Sequence, residues 1–374
     1  MTNNKDKKVL NVPNLRFPEF TEEWERCSLG HVTDFVKERI STDKLTLANY
    51  VSTENMKSDF GGINPAISIP NNTNVIHYKK GDVLLSNIRP YLRKVWAANS
   101  DGGCSTDVFV FRAKSISPSF LHYIMANDTF INYVMSGAKG VKMPRGDKEQ
   151  MLKYVFSIPR IEEQYKISRL LHLLDDRIAT QNKIIKDLKK LKSAISERFF
   201  TSINGDVVTL ADICDIVKGK QINGEFLTDS GNYYVMNGGI EPSGYYDDYN
   251  TEANTISISE GGNSCGYVQF NTTPFWSGGH CYTIQNITNN VEKLYLYHYL
   301  KCNEDTIMKL RIGSGLPNIQ KKDLAKFRVI VPIIEQQKTI SAFLSLLERK
   351  VQVETDILIA VQSEKQYLLR QMFI

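Results

Sequence analysis

One segment of this chain occurs twice, and that repetition restricts the possible folds more than any other feature. Residues 157–200 read SIPRIEEQYKISRLLHLLDDRIATQNKIIKDLKKLKSAISERFF, and residues 330–373 read IVPIIEQQKTISAFLSLLERKVQVETDILIAVQSEKQYLLRQMF. The two align without a gap at a shift of 173 positions. Pro159, Ile161, Glu162, Gln164, Ile167, Ser168, Leu171, Leu173, Leu174, Ile184, Lys192 and Phe200 recur identically. The shift extends upstream, where KMPRGDKEQMLKYVFSIP faces GLPNIQKKDLAKFRVIVP. A fixed-period repeat implies one structural unit built twice.

Each copy has the pattern of one long helix. Ile167, Leu171, Leu174, Ile178, Ile185 and Leu188 fall in alternating steps of four and three, as do Ile340, Leu344, Leu347, Val351, Leu358 and Val361. That rhythm is the seam of a coiled coil. Polar residues interrupt it at matched places, Gln181 with Glu354 and Lys192 with Lys365. Polar seam residues set register and partner, so the two helices are expected to pair with each other. At 1.5 Å per residue each spans roughly 55–60 Å. The stretch Ala179–Lys183 is where the first helix is expected to pack least.

Ahead of each helix lies a segment with a common outline. NLRFPEFTEEW is a polar-aromatic arm expected to lie on the first domain. SLGHVTDFVKERI and GDVVTLADICDIVKGKQI each suggest a short strand and helix. Alternating apolar runs then suggest β-strands, in GDVLLSNIRPYLRKVW through GGCSTDVFVF and in ANTISISEGGNSCGYVQF through GGHCYTIQ. PSFLHYIMANDTFINYVM and VEKLYLYHYLKCNEDTIMKL each suggest one closing helix. The expected division is 1–157, a globular domain; 158–205, a helix; 206–331, a second globular domain; and 332–374, a second helix. The fold class is α+β, with two similar domains separated by two long antiparallel coiled-coil helices in a pseudo-two-fold arrangement.

Composition excludes several classes. No apolar run approaches the length of a membrane helix, and the polar start MTNNKDKKVLN lacks the apolar core of a signal peptide, so a cytoplasmic location is expected. Six scattered cysteines with no C-x-x-C pair fit reduced thiols better than disulfides or a zinc site. Phosphate-loop, H-E-x-x-H, G-x-S-x-G and adenine-methyltransferase motifs are all missing. His280 beside Cys281 is a poor dyad, because neighbouring side chains rarely face each other. The chain is therefore expected to be non-catalytic by itself.

Charge is uneven. Residues 1–157 carry +5 from 21 basic and 16 acidic residues, and residues 158–205 carry +4 from 10 and 6. Residues 206–331 carry −4 from 10 and 14, and the last helix balances at 5 and 5. Basic surface is the footprint of a nucleic-acid protein, and the first two segments supply it. In the first domain Lys79 and Lys80 lead into a run where Arg89, Tyr91, Arg93, Lys94 and Trp96 mix basic with aromatic residues. An arginine fork can grip guanine O6 and N7, or a phosphate, at two points. Lys139, Lys142, Arg145 and Lys148 form a second basic group in a Gly-containing loop, with Lys309, Arg311, Lys321 and Lys322 as the expected counterparts for phosphate contact. Lys218, Lys220, Asn263, Tyr267 and Gln269 are the further DNA-binding candidates in the second domain. There Asn263 and Gln269 suit adenine edges, and Asp247 or Asp248 suits cytosine N4. Proline followed by Glu162, Glu163 or Glu335 is good helix-start chemistry. Gln164 and Gln337 are not explained by capping, and with Glu162 and Glu335 they are candidates to face a partner chain.

The doubled P-x-x-E-x-Q followed by I-S-x-x-L-x-x-L-[DE], together with NLRFPEFTEEW, KKGDVLLSNIRPYLRK and GSGLPNIQKKDLAKFRVIVP, resembles the specificity (S) subunit of type I restriction–modification enzymes over essentially the whole chain. The resemblance implies two target-recognition domains, each reading half of an interrupted, asymmetric DNA site. It implies spacer helices that dock two modification (methyltransferase) subunits and, through them, ATP-driven restriction subunits. No cofactor is expected in this chain; AdoMet, ATP and Mg²⁺ are implied for the partner subunits. Two other classes stay open: a coiled-coil adaptor without DNA contact, and a self-contained DNA nuclease or methyltransferase.

Overall fold

The computed structural model describes residues 10–313, 315 and 317–374. The chain divides into two compact units, residues 1–180 with 358–374 and residues 181–357. The division falls inside both long helices, so each unit owns a globular part and one portion of each helix.

In the first unit the elements are β1 (Glu25–Ser28), α1 (Leu29–Val32), β2 (Thr33–Phe35), β3 (Arg39–Ser41), β4 (Tyr50–Val51), β5 (Asn74–Tyr78) and β6 (Val83–Ser86). They continue with β7 (Val95–Ala97), β8 (Gly102–Cys104), β9 (Val108–Ala113), α2 (Pro118–Met125), α3 (Asp128–Ser136), α4 (Lys148–Leu152) and β10 (Val155–Ile158). The first long helix, α5 (Ile161–Ser202), follows. The second copy runs β11 (Asp206–Thr209), α6 (Leu210–Ile213), β12 (Asp215–Lys218), β13 (Tyr233–Met236), β14 (Tyr245–Tyr246), β15 (Thr255–Ser259), β16 (Val268–Asn271) and β17 (Trp276–Ser277). It closes with β18 (Cys281–Gln285), α7 (Lys293–Cys302), α8 (Glu304–Met308), α9 (Lys321–Ala325), β19 (Arg328–Val331) and the second long helix, α10 (Ile334–Gln371).

A four-stranded sheet is common to both units, ordered β2-β9-β6-β7 in one and β12-β18-β15-β16 in the other. A two-stranded antiparallel sheet, β1 with β10 or β11 with β19, joins the start of each domain to the strand that feeds its long helix. The remaining sheets differ: β3-β5-β8-β4 in the first unit and β14-β13-β17 in the second. β6 is buried along its length because Val83 and Leu85 enter one core and Leu84 enters another. β15 is likewise buried along its length, with Ile256 and Ile258 in the core and Ser257 and Ser259 hydrogen-bonded on its other face.

Each expected closing helix is two helices. Asn127 breaks the first, its Oδ1 accepting from the Thr129 amide at 3.0 Å to cap α3. Asn303 stands at the corresponding break between α7 and α8. Asparagine bonds its own local backbone in non-helical geometry, which makes it a start signal rather than a helix interior residue.

The long helices pair antiparallel within each unit. In the second unit Gln181 meets Glu354, Lys192 meets Glu348 and Phe199 meets Phe343. In the first unit Asp175 meets Lys365. Ile167, Leu171, Ile185, Ile340, Leu344 and Val361 of the expected seam are buried. The expectation that α5 packs least at Ala179–Lys183 fails at Gln181, which is buried because its amide has a polar partner across the pair.

The arm lies on the first unit as expected. Arg16 grips the buried Glu163 through two bonds of 2.7 Å, and the Leu15 amide donates to the Gln371 carbonyl at 2.9 Å. Trp24 is buried in the same core as Leu369 and Met372.

Candidate nucleic-acid interface

At the end of β6 the chain makes a short 3-10 turn, Pro90–Leu92, bounded by Arg89 at φ 51° and Arg93 at φ 56°. Both are in the left-handed region, which side-chain-bearing residues rarely adopt. The loop preceding α4 lies against this turn. The Arg89 amide donates to the Pro144 carbonyl at 2.8 Å, and the Gly146 amide donates to Asn87 at 3.1 Å. Lys139 and Arg145 exchange both backbone bonds, at 2.9 and 2.8 Å. The Asn87 amide donates to the Asp107 carbonyl at 2.8 Å, and the Arg145 guanidinium lies 3.3 Å from the Asp107 carboxylate.

The second unit builds the same frame from other residues. The Gly262 amide donates to Pro317 at 3.0 Å, and the Ile319 amide donates to Glu260 at 2.8 Å. Ile312 and Asn318 exchange bonds at 2.8 and 3.0 Å, and the Glu260 amide donates to the His280 carbonyl at 2.8 Å. Every one of these residues stands 173 positions after its counterpart. The frame consists of backbone bonds, so it constrains side chains little. Arg89 gives way to Gly262, Arg93 to Gly266, Arg145 to Asn318, Asp107 to His280 and Asn87 to Glu260. The buried Glu260 carboxylate accepts from Lys218 at 2.6 Å and from the Tyr282 hydroxyl at 2.9 Å, and it lies 3.5 Å from His280 Nδ1.

The basic residues named from the sequence do not converge. Arg89, Tyr91 and Lys142 are exposed around the first frame, and Lys139 is exposed there while bonded to Asp147 at 2.7 Å. Lys79 and Lys80 lie before the start of β6, at its far end from Arg89, and Lys79 is 3.4 Å from Glu38. The Lys94 ammonium donates to the Thr53 carbonyl at 2.6 Å. Arg93 lies between Asp59 at 3.4 Å and Asp128 at 3.1 Å. The alternation from Arg89 to Trp96 is therefore not one face of a strand, because two left-handed residues and a 3-10 turn interrupt it. Lys148 stacks on Phe35, its ammonium 4.3 Å from the ring centre.

In the second unit Asn263 is exposed on the 3-10 turn Gly262–Ser264. Gln269 lies in β16 and Tyr267 just before it, the latter under the Lys301 ammonium at 3.8 Å. Lys220 is exposed after β12, while Lys309 and Arg311 precede the loop and Lys321 and Lys322 open α9. The expected equivalence of Lys309 and Arg311 with Lys139 and Arg145 does not hold, since Ile312 and Asn318 occupy those places. Asn87, Asp107, Glu260 and Asn318 are not among the residues the sequence points to, and His280 enters there only beside Cys281. Carrying the 173-residue shift farther upstream than residues 142 and 315 brings Asn87 and Asp107 into register with Glu260 and His280.

Gln164 and Gln337 do not face outward. Gln164 Oε1 accepts from the Ser117 amide at 2.8 Å, and its Nε2 donates to the Pro159 carbonyl at 2.9 Å. Gln337 accepts from the Glu292 amide at 2.7 Å and donates to Pro332 at 2.7 Å and Asn290 at 2.9 Å. Each clamps the start of α2 or α7 to the start of a long helix, satisfying backbone groups at two buried ends. Glu162 and Glu335 are exposed in the first turns of α5 and α10.

Among the described residues no cluster of side chains has the spacing of a metal site, and no helix is long and apolar enough to cross a membrane. Cys281 is buried and its thiol pushed up to about 11 by burial, which disables it as a nucleophile beside His280.

A family model for the type I restriction modification DNA specificity domain matches the chain twice, over residues 21–190 and 204–363. The chain belongs to this family. Curated relatives include a protein of Mycoplasma pneumoniae named as a type I specificity subunit, 32% identical over 154 residues. That match covers 41% of each protein, so the alignment spans about two fifths of the relative's length. A type I restriction enzyme specificity subunit of Methanocaldococcus jannaschii is 20% identical over 94% of this chain and 91% of that one. Among solved structures, the type I restriction–modification S subunit from M. genitalium shares the fold. It has a TM-score of 0.72 at 18% identity, covering 97% of this chain and 99% of that one. The two specificity domains thus coincide with the two copies of the repeat, each carrying one backbone frame at the end of its central sheet.

Proposed function

We propose that this chain is the sequence-specific DNA-binding subunit of a type I restriction–modification complex, with each specificity domain reading one half of a bipartite, asymmetric site. One observation carries this reading: the two domains keep the same loop-on-turn frame, bond for bond, while exchanging nearly every side chain on it. A frame held by backbone bonds can change what it reads without refolding, which two unlike half-sites require.

The long helices are the docking surface for two modification (methyltransferase) subunits. Leu173 and Leu346 are counterparts in the repeat, and they are 57% and 63% exposed although leucine gains nothing from water. An identical exposed anchor in each copy suits two copies of one partner. Restriction subunits join through that assembly. AdoMet, ATP and Mg²⁺ belong to the partners, and this chain contributes no catalytic group. The complex works in the cytoplasm.

The test is a domain exchange. Residues 206–331 are replaced by the same segment of a relative, and methylated bases are mapped in cells that carry the modification subunit. One half of the methylated motif should change and the other persist. A change in both halves, or in neither, contradicts independent reading.

A further inference from the structure

We propose that Arg89 reads a guanine in the half-site of the first domain, and that repeat position 89/262 is one where the two domains differ in what they read. The inference rests on the DNA-binding reading above and deepens it by naming a residue and a base.

The first support is the backbone. Arg89 has φ 51° and ψ 61°, while its counterpart Gly262 has φ 74° in the same turn. Glycine enters that region freely, whereas a Cβ there crowds the following carbonyl. Strained residues persist where the side chain is needed for function.

The turn itself does not need the arginine. The Arg89 carbonyl accepts from the Leu92 amide at 2.9 Å and its amide donates to Pro144 at 2.8 Å. The Gly262 carbonyl accepts from Cys265 at 3.1 Å and its amide donates to Pro317 at 3.0 Å. A Cβ built on Gly262 would meet nothing within 4 Å, so no neighbour excludes a side chain from this place in the turn.

Charge accounting separates Arg89 from its neighbours. Arg93 and Arg145 are each within 3.4 Å of a carboxylate of their own domain. Arg89 is exposed and has no ion pair or side-chain hydrogen bond among the described residues. Its guanidinium offers five donors in a planar fork and no acceptor. That fork matches the paired acceptors O6 and N7 of guanine, whereas adenine sets a donor amino group against it. A phosphate would also accept the fork, and the test separates the two.

The full chain is used to select binders from a randomised duplex DNA library, alongside Arg89→Gly, Arg89→Lys and Gly262→Arg. Wild type should enrich a bipartite motif with guanine in one half. Arg89→Gly should lose roughly 10- to 100-fold of discrimination at that one base pair, with the other half untouched. Its Tm should equal or exceed that of wild type, because the strain is relieved. Arg89→Lys should retain affinity but discriminate less, and Gly262→Arg should bring a guanine preference to the second half. Uniformly weaker binding with an unchanged motif and a shallower salt dependence would make Arg89 a phosphate contact and overturn the proposal. Unchanged binding, or a lower Tm for Arg89→Gly, would overturn it as well. If wild type enriches no motif, the DNA-binding reading itself has failed, a result distinct from failure of Arg89 alone.

Discussion

The Gln181 amide donates to the main-chain carbonyl of Glu354 at 2.9 Å and also to its carboxylate, and Glu354 is the residue that fills Gln181's own place in the second copy. In an antiparallel pair of equivalent helices, a residue can face its own counterpart at only one level. This contact therefore marks the register of the pairing. Both side chains are buried, and a slip of one turn would leave the Glu354 carboxylate without its donor across the pair.

Replacing Gln181 by Leu should lower Tm by several degrees, since an acceptor loses its partner in a buried seam. Replacing both Gln181 and Glu354 by Leu should recover that loss or exceed wild type, because an apolar pair needs no partner. Thermal denaturation followed by circular dichroism, run as a double-mutant cycle, gives the coupling. If the two losses simply add, the contact does not define register.

The ion pair Lys192–Glu348 in the second unit and Lys365–Asp175 in the first occupy exchanged places in the repeat, each with a tyrosine donating to the carboxylate. Tyr123 reaches Asp175 at 2.8 Å and Tyr297 reaches Glu348 at 3.2 Å. Lys365→Met and Lys192→Met should each cost about 1–2 kcal/mol, with both lysines mostly buried. The two pairs share no partner, so the costs should add in urea titrations of the double variant.

Gln337→Ala removes one acceptor and two donations at the junction of α7 and α10. It should destabilise the second unit by roughly 2–4 kcal/mol, leaving the Glu292 amide and two carbonyls unpaired. Gln164→Ala should do the same with a smaller loss, having one donation fewer. Hydrogen exchange at Ser117 and Glu292 should rise in the matching variant only.

His298 is buried, with Nε2 3.0 Å from Ser345 Oγ, and burial lowers its pKa to about 4, against a smaller raising effect from Glu348. The folded chain then binds fewer protons here than the unfolded one between about pH 6.5 and 4. Stability is fully present above about pH 6.5 and falls as pH drops toward 4, by about 2–3 kcal/mol at pH 4.5. His298→Gln should reduce the fall in stability between pH 7.0 and 4.5 by about that amount in denaturant titrations, leaving the share of the buried His122, also lowered to about 4.

Arg145 and Arg93 should part company. Arg145, 56% exposed with its guanidinium beside Asp107, should on conversion to Ala reduce the slope of log affinity against log salt by about one. Arg93→Ala frees Asp59 and Asp128 and should lower Tm with the salt slope unchanged. Anisotropy titrations from 50 to 200 mM salt distinguish the two.

The strand-and-turn outline was legible because alternation and turn residues are local signals. Each closing helix is two rather than one, since the capping bond from the Thr129 amide to Asn127 Oδ1 is visible only in the structure. The run from Arg89 to Trp96, one group by residue type, is parted by a 3-10 turn for a similar reason. Nothing in its residue types announces left-handed arginines, although Gly262 and Gly266 at the shifted positions carry that information.

By itself the sequence determined the two-copy plan, the two long helices and their mutual pairing, while the level at which Gln181 and Glu354 meet came from the structure. Those three depend on periodicity and on a constant shift of 173, which covalent order alone preserves. Only the tertiary structure decided which charges are free. Asp59 and Asp128 reach Arg93, Asp107 reaches Arg145, and Glu260 takes Lys218, each from a segment with no fixed spacing to its partner. The same holds for Gln164 and Gln337, whose recurrence looked like a partner surface but serves buried backbone groups. A hydrogen bond across dozens of residues leaves no periodic trace, because it depends on where the chain returns rather than on how it is ordered.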